Sequence, residues 1–267
     1  MITDQRLDHW IARWGLEPDG AAFASLAGRL RPVRWRGQAA MLKVSAAPEE
    51  IAGGALMSWW GGDGAARVLA REDDALLLER AERRDALAEM ARAGQDEAAC
   101  RILCAAGARL HAPRSVPPPK GLIPLDQRFA ALWGVETQSP AFRRSAEIAR
   151  ALLAEPQGAC VLHGDLHHGN VLDFGGRGWL AIDPKGLFGD PGYDHANIFC
   201  NPDIETALAL GAPERRLVWV SDASGLEPRQ LLRWLIAYCG LSAAWTLSDG
   251  NDPWRALAIA DRAAGLL

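Results

Sequence analysis

The run Leu162-His163-Gly164-Asp165-Leu166-His167-His168-Gly169-Asn170, together with residues 171–184, fixes more of the fold than any other stretch of this chain. Short apolar runs at 171–174 and 179–182 flank Gly175-Gly176-Arg177-Gly178, a turn sequence, so the segment is predicted as a β-hairpin. Its strands run antiparallel. Asn170, entering the first, therefore faces Asp183, leaving the second, although thirteen positions separate them. A loop carrying Asp165 leads into the hairpin. Local geometry thus gathers two carboxylates and an amide at one end of a turn. Each alone reads as a turn or cap residue; their joint spacing points to chemistry.

Asp-x-x-x-x-Asn with a later metal aspartate is the spacing of a kinase catalytic loop, H-R-D-x-x-x-x-N, with Gly164 in place of the Arg. Asp165 is then the base that orients an acceptor hydroxyl and takes its proton. Asn170 and Asp183 offer one neutral and one anionic oxygen to Mg²⁺, which favours few protein oxygens plus phosphates and water. Asp173-Phe174-Gly175 spells the triplet that usually carries the metal aspartate. It stands just before the turn, at the hairpin's far end, so Asp183 is preferred. His163, His167 and His168 raise the rival of a zinc hydrolase. Their spacing is not a standard zincin pattern, and zinc leaves Asn170 and Asp183 unexplained. His163 is expected to lock the loop through a backbone hydrogen bond.

Upstream, Leu7, Trp10, Ile11 and Trp14 predict a helix over 4–16 with one buried stripe. Strands are predicted at 23–26, 33–36, 40–44, 66–71 and 75–80, with turns at Gly28 and Gly37. A helix over 48–60 starts with Pro48 and stops at Gly61-Gly62. Lysine occurs only at Lys43, Lys120 and Lys185 in a chain that otherwise uses Arg. Lys43 sits among alternating apolar residues, where a cation needs a partner. In kinases it grips the α- and β-phosphates and pairs with a Glu on the next helix. Glu49 and Glu50 both open that helix, and Glu50 is preferred. The turn at 24–28 stands where a phosphate loop belongs, with Ser25 as a contact, but reads equally as a plain hairpin turn. Leu76-Leu77-Leu78-Glu79-Arg80-Ala81 is the expected strand and hinge, with adenine on the backbone of Glu79 and Ala81.

Beyond Glu82 helices are predicted at 84–93, 95–111, 124–135, 139–154, 228–247 and 253–266, with a stiff link at 112–124 around three prolines. This is an α+β, bilobal, protein-kinase-like fold. A β-rich ATP-binding lobe spans 1–80; a helical lobe for catalysis and the acceptor spans 81–267. A net charge of −4 gives no basic footprint, so nucleic acid is not an expected partner. No apolar run reaches membrane-spanning length and no signal peptide is evident at the N-terminus. The five cysteines are an odd number without a C-x-x-C motif, and Cys100 and Cys104, one helical turn apart, read as core residues. A cytoplasmic monomer acting on a small-molecule hydroxyl is expected.

The motifs at 162–170 and 178–184, the run 189–202, Leu125-Asp126-Gln127-Arg128-Phe129 and Leu241-Ser242-Ala243-Ala244-Trp245 resemble the aminoglycoside phosphotransferase superfamily. They are most similar to its branch of streptomycin 6-phosphotransferases and hydroxyurea-type kinases. The resemblance implies ATP, Mg²⁺ and a streptomycin-type acceptor, with Asp165 as base and Asn170 and Asp183 on the metal. It would put the conserved small-lobe Glu near Gly53, where this chain departs, so Glu50 must substitute. It also fits the absent Arg before Asp165, which implies activity without activation-loop phosphorylation. On the acceptor side Asp190 is a candidate for a cationic group, with Asp249 and Asp252 as others. Lys185 contacts a phosphate or pairs with an acid. Asp194 braces the loop or caps a helix. Trp245 and Trp254 are candidates for stacking or core. A kinase of an ordinary metabolite and a nucleotide-binding pseudokinase-like module remain the alternatives.

Overall fold

The computed structural model describes residues 4–25 and 28–267. Helix α1 (Asp4–Trp14) leads into a sheet made of β1 (Glu17–Pro18), β2 (Phe23–Ser25), β3 (Gly28–Trp35), β4 (Gln38–Val44), β5 (Val68–Glu72) and β6 (Ala75–Glu79), with α2 (Pro48–Trp60) inserted after β4. The strand order is β1-β3-β4-β6-β5, and β2 also pairs with β3. Period-two alternation decides which face each side chain takes. Ala40, Leu42 and Val44 of β4, with Ala75 and Leu77 of β6, bury against Leu7 and Trp10 of α1. Burial of each large apolar side chain there contributes about 1.5–3 kcal/mol. The opposite face, with Lys43 paired to Leu76 across β4 and β6, turns toward α2.

The rest is mainly helical. It comprises α3 (Ala86–Arg92), α4 (Asp96–His111), α5 (Leu125–Arg128), α6 (Ala130–Val135), α7 (Pro140–Ala154), α8 (Gly192–Ile198), α9 (Ile204–Ala207), α10 (Ala212–Ser224), α11 (Pro228–Ser248) and α12 (Trp254–Ala264). Helix α11 is apolar on most of its circumference and runs through the centre of the core, packed by α6, α7, α8 and α12. Three strands, β7 (Ile123–Pro124), β8 (Cys160–Leu162) and β11 (Leu187–Gly189), form one small sheet in the order β7-β11-β8. The hairpin of β9 (Val171–Asp173) and β10 (Trp179–Ala181) forms another.

That hairpin is stitched to the β-rich part along both edges. Ala66 N donates to Ala181 O at 2.9 Å and Ala181 N to Gly64 O at 2.9 Å. On the other edge, Glu82 N and Arg83 N both donate to Asp173 O, at 2.8 and 3.2 Å. The architecture is the expected α+β one, with local differences. Strand β1 has two residues, too few to carry a periodic signal. Gly28 begins β3 rather than separating strands. Strand β11 went unpredicted because Gly186 and Gly189 bracket it like a turn. No helix among the described residues is long and apolar enough to cross a membrane.

Candidate active site

Asp165 lies between β8 and β9, in a loop held from three directions. The first is His163, fully buried beneath Trp60, whose ring stacks on it at 6.4 Å. Its Nε2–H donates to Ile182 O at 2.7 Å while Nδ1 accepts from Asp165 N at 3.2 Å. This pattern needs the neutral ring, and burial lowers the His163 pKa accordingly. One imidazole thus ties the loop to the strand that delivers Asp183. The second hold is Asp194 on α8. Its carboxylate accepts from His163 N at 2.8 Å, Gly164 N at 2.7 Å and His111 Nε2 at 2.8 Å. Burial works to raise the Asp194 pKa, yet these donors hold it below the ordinary value. Gly164 between them has φ +84°, and a Cβ there would lie 2.8 Å from Leu187 Cγ. An Arg at this position has neither the backbone conformation nor the space.

The third hold acts on the Asp165 carboxylate itself. Asn197 Nδ2, also on α8, donates to Asp165 Oδ1 at 3.0 Å. Asn201 Nδ2 in turn donates to Asn197 Oδ1 at 2.9 Å and Asn197 O at 3.0 Å. Asn170 Nδ2 donates to Asp165 O at 2.9 Å and Asp165 Oδ2 at 3.1 Å. Burial pushes the Asp165 pKa up, but His167, His163 and Lys185 outweigh it and hold the group down at about 2. A carboxylate in this state is ionised and fixed in direction.

The hairpin register brings the remaining groups in. Ile182 N donates to Asn170 O at 2.9 Å, so Asp183 leaves the hairpin beside Asn170. Asp183 has φ +57°, an uncommon conformation for a residue with a Cβ and one that clusters at functional sites. Its Oδ1 accepts from Lys43 Nζ at 2.7 Å, and Lys43 Nζ also reaches Glu50 Oε2 at 2.5 Å. Lys185 Nζ donates to the other Glu50 oxygen at 2.6 Å. Lysine and carboxylate therefore alternate along Lys185, Glu50, Lys43 and Asp183. Glu50 stands one turn before Gly53 for a steric reason: a Cβ at 53 would collide with the carbonyl oxygen of Pro184. Helix α2 approaches the segment after Asp183 too closely for a glutamate there, so the acid comes from the preceding turn.

This donor set fits Mg²⁺. The Asn170 amide commits its NH₂ to Asp165, leaving its carbonyl oxygen as a ligand beside the Asp183 carboxylate. Among the described residues no group of three or more His, Cys, Asp or Glu side chains could hold a metal ion. Both nitrogens of His163 are spent on backbone groups. His168 is buried with no protein partner for either ring nitrogen, and burial lowers its pKa to about 3.

The hairpin's far end and the β-rich part hold four more of the sequence-predicted residues. Asp173 stands opposite Trp179, away from Asp183, and its carboxylate accepts from Gly175 N at 2.9 Å. Ser25 ends β2, exposed, with Oγ donating to Gly28 O at 3.4 Å; Leu26 and Ala27, the tip of the expected phosphate turn, lie outside the described residues. Glu79 ends β6 with its N–H on Arg67 O and its carboxylate on Arg67 N and Arg177. Ala81 is in the connection that Glu82 and Arg83 anchor to Asp173. Asp190 does not face the cleft. It is buried, and its oxygens accept from Gln157 N and Gly192 N, both at 2.8 Å. A carboxylate spent on two backbone amides is a turn brace rather than a receptor for a cation. Lys185 points to Glu50 as its acid partner.

A cavity of about 630 Å³ opens between α11, α12 and residues 200–204. Asp203, Ser242, Thr246, Asp252 and Trp254 line it with Cys200. The Trp254 side chain is half exposed at 50%, whereas Trp245 carries the Arg128 guanidinium over its ring at 4.4 Å. Asn197, Asn201 and His111 went unpredicted. The signal for Asn197 was present: it lies three residues after Asp194, on the same helical face.

The two-lobed fold and a loop of this construction define a kinase-type small-molecule phosphotransferase fold. Crystallised aminoglycoside phosphotransferase APH(4)-Ia superposes with a TM-score of 0.70 over 98% of both chains at 16% identity. The family described as aminoglycoside/hydroxyurea antibiotic resistance kinase matches residues 13–250, and the chain belongs to it. It is 50% identical to a streptomycin 3''-kinase of Klebsiella pneumoniae, over 93% of this chain and 95% of that one. Identity to a streptomycin 6-kinase of Streptomyces glaucescens is 32%, over 92% and 83% of the two chains.

Proposed function

We propose that this chain is an ATP- and Mg²⁺-dependent O-phosphotransferase whose acceptor is an aminoglycoside of the streptomycin type. One observation carries the reading. Asp165, the Asn170 amide oxygen and Asp183 are gathered at one hairpin end, with the buried Lys43–Glu50 pair directly behind Asp183. Magnesium-bound ATP, when present, supplies the phosphoryl group and a cation that neutralises its oxygens. Asn170 and Asp183 would hold that cation, and Lys43, beside Asp183, would neutralise phosphate charge. Glu50 keeps Lys43 in place throughout. Asp165, fixed by Asn197, orients the acceptor hydroxyl and accepts its proton. Residues 4–80 act as the nucleotide lobe and 81–267 as the catalytic and acceptor lobe, in a monomer. The hinge at 79–81 receives the base.

The acceptor occupies the cavity between α11, α12 and residues 200–204. Its carboxylate at Asp252 suits a guanidinium or ammonium group, and Trp254 offers an apolar face to a sugar ring. The test is ADP release by the purified chain with Mg²⁺ and ATP against an acceptor panel. The panel holds streptomycin, other aminoglycosides, hydroxyurea and simple amino alcohols. Turnover with streptomycin and a singly phosphorylated product is expected, and NMR of that product assigns the 3'' or the 6 hydroxyl. Turnover of another acceptor but not of streptomycin would overturn the acceptor class.

A further inference from the structure

Cys200 and Cys239 are in direct contact, Sγ to Sγ at 3.6 Å, and all five cysteines are free thiols. Cys239 is fully buried on α11. Cys200 is partly exposed and borders the 630 Å³ cavity, open to a small solute. Cys100, Cys104 and Cys160 differ: burial pushes each of these thiols up to about 12. Burial and the neighbouring Cys200 also push the Cys239 thiol up, and the two sulfurs share a hydrogen bond. Cys200 is the more exposed of the two. This accessible sulfur, with a second thiol behind it, has the arrangement of an attacking and a resolving cysteine.

We propose that Cys200 and Cys239 form a dithiol–disulfide site closed by a hydroperoxide, and that closure slows phosphoryl transfer. The Cys200 sulfur attacks the peroxide O–O bond, becoming a sulfenic acid and releasing water. The Cys239 sulfur then attacks the Cys200 sulfur, the S–O bond breaks, and the departing hydroxide takes the Cys239 proton. The two thiols lose two electrons and two protons in all, and hydrogen peroxide is reduced to two waters.

A disulfide needs its sulfurs about 2.0 Å apart, so they must approach by roughly 1.5 Å. Cys239 sits mid-helix in the packed core. The movement therefore falls to the short segment after α8. Cys200 N is bonded to Asn197 O at 3.1 Å, and Asn201 holds Asn197 by its side chain and its carbonyl. Asn197 in turn holds Asp165 Oδ1. Closing the disulfide pulls on the residues that aim Asp165. This second half rests on the phosphotransferase reading; the disulfide itself does not.

The experiment exposes the purified full chain to hydrogen peroxide, alkylates remaining thiols and maps peptides without reduction by mass spectrometry. Turnover is measured before oxidation, after it, and after dithiothreitol. Expected are a linked Cys200–Cys239 peptide, a fall in turnover of about 10-fold or more as the link forms, and recovery on reduction. Cys239→Ser and Cys239→Ala form no link and keep their turnover in peroxide; two replacements guard against one that misfolds. Absence of the linked peptide from the oxidised wild-type chain overturns the site, whatever the chain phosphorylates. A linked chain with undiminished turnover, or an equal loss in the Cys239 variants, overturns the coupling.

Discussion

The α-carbon of Gly53 lies against the carbonyl of Pro184, with no room between them for a side chain. This contact sets how near α2 comes to the segment after Asp183, and hence whether Glu50 meets Lys43 and Lys185. Gly53→Ala should push α2 outward and lower kcat by about 100-fold, the cost of an ångström-scale misplacement. Gly54 is the control. A Cβ there meets only the ends of the Arg71 and Leu76 side chains, at 3.3 and 3.4 Å. Steady-state kinetics of the two variants check this: equal losses would mean that helix interior, not the Pro184 contact, decides the outcome.

Lys43 and Lys185 share Glu50, but only Lys43 also reaches Asp183. Lys43→Ala should remove measurable turnover and raise KM for ATP. Lys185→Ala leaves Glu50 its buried partner, so turnover should fall by less than about 10-fold. Its thermal unfolding should shift by about the 1–3 kcal/mol of a lost charged hydrogen bond. A Lys185 variant as inactive as the Lys43 variant would give Lys185 a direct hold on substrate.

Asp165→Asn keeps the shape of the side chain and removes the proton acceptor. Transfer should drop by about 10²–10⁴-fold while Mg²⁺-dependent nucleotide binding, measured calorimetrically, is unchanged. Retained transfer would take the role of base away from Asp165.

Asn197→Ala leaves Asp165 ionised but releases one of its oxygens. The expected signature is a lower kcat, by about 10-fold, with KM for ATP unaltered, because Asn197 bonds Asp165 rather than Asn170, Asp183 or Lys43. A change confined to the nucleotide KM would contradict this assignment.

Acid sensitivity has a separate source in His195. Burial, with His111 beside it, lowers its pKa from 6.5 to about 4, although its bond to Pro191 O acts the other way. The unfolded chain therefore takes up this proton first as pH falls below 6.5. Stability is full above 6.5 and is lost as pH falls toward 4, at about 1.4 kcal/mol per pH unit once the unfolded state is protonated. His195→Asn places an amide nitrogen where Nδ1 donates to Pro191 O, without a titrating group. Urea unfolding of both proteins between pH 7 and 4.5 should show the shallower decline in the variant.

Asp165, Asn170 and Asp183 were legible from sequence because a hairpin converts spacing into proximity with no tertiary knowledge. The same logic removed Asp173, three residues past Asn170 and bound for the wrong end. Lys43 was legible as a lone cation in an apolar alternation. Its partner was only half legible, since the space that admits Glu50 and refuses a side chain at Gly53 is made by Pro184, distant in sequence. Asp190 shows the converse failure: an acid in a Gly-Asp-Pro-Gly run looks available, and only burial reveals it as a turn brace. Asn201 carries no charge and no motif, so its hold on Asp165 through Asn197 emerged only once α8 was packed against the loop.

Between Asp183 and β11 the chain has just residues 184–186. Kinases that answer to signalling place a long, re-orderable stretch there, and its phosphate docks on the arginine that Gly164 excludes. This molecule offers an upstream kinase no handle at that point. The catalytic loop is held in its one folded arrangement by Asp194 and His163, with no phosphate to wait for.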